Sequence, residues 1–87
     1  MADLRVEIVT PRKVAWTGTA TGVQAPGGLG EFGVLPRHIP FLTTLKPGVV
    51  TVKTAKGVQR FRIGAGFAEA GPDRVVLLAD SCEELAG

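Results

Sequence analysis

Short runs of alternating apolar and polar residues, each cut by glycine or proline, constrain this chain more than any other feature. Residues 4–10 read LRVEIVT, which puts Leu4, Val6 and Ile8 on one face and Arg5 and Glu7 on the other. That period of two marks a half-buried strand. Pro11 ends the run, and Arg12 and Lys13 make a charged turn. Twelve Gly and six Pro recur every few residues, while eleven Val, eight Thr and three Ile supply β-branched side chains. The mixture favours strands and turns over helices, because β-branched residues pack well on a pleated surface and Gly and Pro break helices.

The same punctuation organises the rest of the chain. Residues 14–23 read as a second extended segment, bent near Gly18 or Gly22, and Pro26, Gly27 and Gly28 force a turn. Residues 32–35 and 41–45 are short apolar segments separated by Pro36 and Pro40, too interrupted for a helix. Residues 48–54 and 58–63 form the clearest hairpin, turning at Lys56 and Gly57. Residues 66–70 and 75–79 flank a second turn, GPDR, in which Gly71 and Pro72 set the backbone. The continuous apolar run at 75–78 predicts a strand covered on both sides. Strand signals spaced by about 8 to 12 residues are those of a sandwich or barrel. One all-β domain over residues 1–80 is therefore expected, followed by a short tail at 81–87. In that tail Ser81 and Glu84 match a capping box, and Glu83 and Glu84 suit a helix N-terminus. A single helical turn does not stand alone, so a frayed tail is the expectation.

Chemistry is sparse. Cys82 is the only cysteine and His38 the only histidine, so an internal disulfide and a zinc site are both excluded, and neither metal nor cofactor is expected. The charged residues are scattered and sum to +2, which gives nucleic acid no support. The alternation begins by Leu4, leaving no room for a signal peptide, and the uncharged stretch 14–30 is too broken by Thr and Gly to span a membrane. A soluble chain of a reducing compartment is the expectation. The string GLGEFG at 28–33 has the three-glycine spacing of a dinucleotide loop, but that motif needs a following helix, which Pro36 and Pro40 deny. Ser81 and Cys82, the only serine and cysteine, lie far along the chain from His38, and the carboxylates fall in turns or on solvated strand faces, so no catalytic set can be assembled. Lys53, Lys56, Arg60 and Arg62 form a basic stripe without interleaved aromatics, read here as charges that guard a hairpin against edge pairing.

Residues 30–48, GEFGVLPRHIPFLTTLKPG, resemble the signature stretch of the epsilon subunit of F-type ATP synthases. LRVEIVTP near the start, WTG at 16–18, GAGFAE at 64–69 and VVLLAD at 75–80 are similar to family strings as well. The resemblance implies a flattened β-sandwich of about ten short, mostly antiparallel strands. It further implies a non-catalytic rotor subunit of the central stalk, joining the gamma subunit to the polar loops of the c ring during proton-driven ATP synthesis. Such a subunit is peripheral to the cytoplasmic face of the bacterial membrane and does not insert into it. By the same resemblance Glu31 faces the c ring, whereas Thr10, His38 and Thr43 face gamma; Arg37 stands where relatives often have Gly. Relatives continue into two C-terminal helices that brake ATP hydrolysis and in some bind ATP; those properties are not carried over. The alternative reading is a small β-barrel module that binds nucleic acid or a ligand, and an enzyme comes third.

Overall fold

The computed structural model describes residues 3–37 and 39–85. His38 lies outside the described residues. Ten strands account for the fold: β1 (Leu4–Val9), β2 (Val14–Ala20), β3 (Gly22–Gly27), β4 (Gly30–Val34), β5 (Phe41–Leu45), β6 (Gly48–Thr54), β7 (Gly57–Ile63), β8 (Gly66–Ala70), β9 (Arg74–Ala79) and β10 (Cys82–Leu85). Among the described residues there is no helix. The expected all-β class and strand number are both observed.

The strands form one hydrogen-bonded path, β10-β7-β6-β3-β5-β8-β9-β1-β2, with β4 on the free side of β3. β3 is the hinge. Its first residues pair with β6, and its last, Gly27, pairs with Leu45 of β5. Beside that point Gly28 N donates to Thr44 O at 3.1 Å and Lys46 N to Pro26 O at 2.8 Å. The path thereby folds over into two facing layers, β10-β7-β6-β3-β4 and β5-β8-β9-β1-β2, with overall dimensions of 32 × 27 × 22 Å. On the opposite side Trp16 of β2 meets Phe61 of β7, their ring centroids 5.8 Å apart. The expected bend near Gly22 is the place where β2 ends and β3 enters the other layer.

Alternation builds the core. Leu4, Val6 and Ile8 of β1, Val75 and Leu77 of β9, and Ala68 and Ala70 of β8 face Val50, Val52, Phe61 and Ile63 across one continuous apolar cluster. Burying each large aliphatic or aromatic side chain contributes about 1.5–3 kcal/mol, offset by the entropy of ordering the chain. β1 and β9 run parallel, Val6 opposite Val75; every other pair is antiparallel.

Two expectations are corrected. The apolar run at 75–78 is covered on one side only: Val75 and Leu77 are buried, Val76 is half-buried and Leu78 is exposed. No element packs over the outside of this layer among the described residues. The frayed tail is also overturned at 82–85, where β10 pairs antiparallel with β7, Cys82 opposite Ile63 and Glu83 opposite Arg62. The free backbone groups on the edge of β7 give those residues a ladder, which a lone helical turn could not match.

Candidate docking faces

Glu31 stands at the start of β4, opposite Pro26 in the β3–β4 hairpin. Gly30 makes the tight return with φ of 132°, a conformation in which a Cβ is strained. Glu31 is exposed, and Leu29 at the tip beside it is fully exposed. One residue on, Phe32 meets Phe41 of β5 edge-on, centroids 5.5 Å apart at 89°. That contact ties the middle of the hairpin to β5, so the carboxylate is carried on a stiff projection. GLGEFG is thus the turn of the β3–β4 hairpin and the first residues of β4, and among the described residues no helix follows to cradle a phosphate.

Thr10 follows β1 and closes the turn before β2. Its N–H donates to Lys13 O at 2.9 Å, and its hydroxyl donates to Lys13 O at 3.2 Å and accepts from Lys13 N at 3.3 Å. Thr43 lies on β5 opposite Ala68, in the inward row with Phe41 and Leu45, and is half-buried. The outward residues of β5 are Leu42 and Thr44. Arg37 takes φ of 67°, in the left-handed region that glycine favours, and its N–H donates to Pro72 O. Glu31 and Thr10 belong to different layers, and so the expected site residues do not form one cluster.

The sequence reading missed an apolar band on the outside of the second layer. Register places Thr44 opposite Phe67, Phe67 opposite Leu78, Leu78 opposite Val9, and Val9 opposite Val14. Phe67, Leu78 and Val14 are 54%, 48% and 55% exposed, and Leu42 lies one step along the same face at 71%. Solvent-exposed apolar residues in one contiguous band signal a docking surface, unlike scattered single ones. Thr10 borders this band: with Val9, Pro11, Gly66 and Leu78 it lines a shallow cavity of about 360 Å³. The available signal was Leu78, an apolar residue at a position where strict alternation calls for a polar one.

The outside of the first layer is polar and basic. Arg60 and Arg62 alternate with buried Phe61 and Ile63 on β7, so both leave the sheet outward. Edge protection does not explain them, because β7 is paired on both sides, by β6 and β10, and β6 by β7 and β3. Cys82, half-buried where β10 begins, has its thiol pKa pushed up from the ordinary value by burial; Lys13 opposes this and Glu84 adds to it. A protonated thiol is a poor nucleophile or metal ligand. Among the described residues no three His, Cys, Asp or Glu side chains gather as metal ligands would.

The family model of the ATP synthase delta/epsilon chain β-sandwich domain matches residues 3–85. An ATP synthase epsilon chain of Caulobacter vibrioides is 44% identical over 86 residues, covering 99% of this chain and 100% of that one. The chain belongs to the ATP synthase epsilon-chain family. A Moorella thermoacetica epsilon chain is 46% identical over 84 residues, and there the chain spans 63% of its relative's length. Among solved structures, the fold is similar to a chain of the Euglena gracilis mitochondrial ATP synthase OSCP/F1/c-ring assembly. The TM-score is 0.89 at 20% identity, covering 97% of this chain and 54% of that one. A chain of the Tetrahymena thermophila mitochondrial ATP synthase central stalk and c ring gives a TM-score of 0.76 at 14% identity, over 92% and 65% of the two chains. As an epsilon-family member, the chain has the sandwich alone among its described residues.

Proposed function

We propose that this chain is a non-catalytic rotor subunit of an F-type ATP synthase that couples the gamma subunit to the c ring during proton-driven ATP synthesis. The observation that carries the reading is the apolar band across five strands of one layer, on a sandwich whose other layer projects the Glu31 hairpin. Gamma docks on the band, with Thr10 at its border and Thr43 supporting it from the inner side of β5. His38 belongs to the same interface by resemblance. Glu31 meets the polar loops of the c ring, where a carboxylate on a rigid hairpin sets register and orientation through charge. A close-packed interior transmits strain instead of absorbing it, which suits a part that passes torque between neighbours. Such a subunit sits peripherally at the cytoplasmic face of the bacterial membrane.

Co-purification with gamma tests the reading. Phe67→Lys combined with Leu78→Glu places two charges of opposite sign on facing positions of the band while leaving the buried row of β8 and β9 untouched. Gamma should be lost with the melting temperature little changed. Retention of gamma by a folded double variant would refute the docking face.

A further inference from the structure

The basic outer face of β3, β6, β7 and β10 is left unused by the contacts proposed above. Arg60 is opposite Thr51, which is itself opposite Gln24; Arg62 is opposite Val49. Lys53 is outward on the same side, opposite Val58, and Lys56 follows at the turn. Glu83 of β10 faces Arg62 in register without an ion pair; the ion pair recorded among the described residues, Arg74 with Glu7, lies on the other layer. Among the described residues the side chains of Lys53, Lys56, Arg60 and Arg62 have neither a hydrogen-bond partner nor a counter-ion. β6 and β7, which carry these cations, are interior to the sheet, so the cations have no edge to guard.

We propose that this face docks an acidic protein segment in extended conformation. The guanidiniums of Arg60 and Arg62 leave the same strand two residues apart, a repeat of about 7 Å. An extended segment with carboxylates at alternate positions has that same repeat, and each guanidinium can donate two parallel N–H bonds to one carboxylate. The Thr51 hydroxyl and Gln24 amide on the neighbouring strands supply hydrogen-bonding groups for peptide backbone. A lipid surface or a nucleic acid is disfavoured by the placement of the aromatics. Trp16 and Phe61 pack on each other between the layers, Phe32 and Phe41 pack on each other, and Phe67 is on the opposite face. The face therefore lacks both an interfacial aromatic anchor and a stacking platform.

The test is fluorescence anisotropy of a labelled peptide of alternating Glu and Ser against the whole chain at low ionic strength. Saturable binding is expected, weakening about tenfold or more on going to physiological salt. Arg60→Gln with Arg62→Gln should lose about tenfold in affinity, and Arg60→Lys with Arg62→Lys should recover part of it. An unchanged melting temperature controls for folding, and the neutral substitution avoids placing a like charge beside Glu83. Gamma co-purification should be unaffected in the Gln variant, so this proposal and the rotor reading fail separately. Absence of peptide binding, equal binding by the Gln variant, or binding confined to phosphatidylglycerol vesicles or single-stranded DNA would each overturn the proposal.

Discussion

Gly66→Ala tests whether the stability of the sandwich depends on the close approach of β8 and β9. Gly66 is opposite Ala79 on β9 and Leu45 on β5. A Cβ there would stand 2.8 Å from the Leu78 carbonyl carbon and 2.9 Å from Ala79 Cα, and nearer still to the Leu78 oxygen. Carbon atoms pack at about 3.5–4.0 Å, so the two backbones must part by roughly 0.7 Å or more. Overpacking of this kind costs about 1–3 kcal/mol, and each ladder hydrogen bond it weakens adds about 1 kcal/mol. The expected loss of about 2–4 kcal/mol is a large part of the roughly 4–13 kcal/mol available to a domain this size. At about 4–8 °C per kcal/mol, the melting temperature should fall by some tens of degrees at most and about 10 °C at least. Trp16, the single tryptophan, packs on Phe61 and reports unfolding in urea by its fluorescence. Gly33→Ala is the control, because its Cβ would meet only Val23 O at 3.7 Å and Gln24 Cγ at 3.9 Å. Its stability should change by less than about 0.5 kcal/mol. If the two alanine variants unfold at the same urea concentration, the close-approach reasoning is wrong.

Three further outcomes are expected. Glu31→Lys should abolish retention on c rings at moderate salt while the urea midpoint stays put; undiminished ring binding would count against the hairpin contact. Arg37→Gly should raise stability by up to about 1 kcal/mol, since it relieves a left-handed backbone and keeps the N–H that donates to Pro72; a fall in the melting temperature would contradict this. For Cys82, burial raises the folded pKa above the unfolded one, so the thiol's contribution to stability is intact below the unfolded value and is lost as pH rises through the folded one. Alkylation by iodoacetamide should then reach half its maximal rate at a pH above that of an unfolded cysteine peptide, shifting lower in Glu84→Gln and higher in Lys13→Gln. A midpoint equal to the peptide's would show that burial does not govern the thiol.

Local chemistry was readable wherever one strand face is buried and the other wet. The alternation at Leu4, Val6 and Ile8, the hairpin turning before Gly57 and the GPDR turn all write their conformation into neighbouring residues. The resemblance at residues 30–48 pointed to the family, and Glu31 proved to lie on an exposed hairpin. Thr43 was less legible, because a threonine suits either side of a strand, and its inward orientation follows from pairing with Ala68. The basic stripe was seen but its explanation failed, since whether a hairpin lies at an edge depends on which strands join it. Here those are β3 and β10, far away in sequence.

By itself the sequence determined that this chain is built of short strands, where they turn and which side of most strands is apolar, because those properties depend on side-chain sterics within a few residues. Tertiary structure alone decided the parallel pairing of β1 with β9, the recruitment of 82–85 onto β7 and the alignment of Val14, Val9, Leu78 and Phe67 into one band. Contacts between strands tens of residues apart leave no periodic trace in either strand, and a docking face exists only once those strands lie side by side.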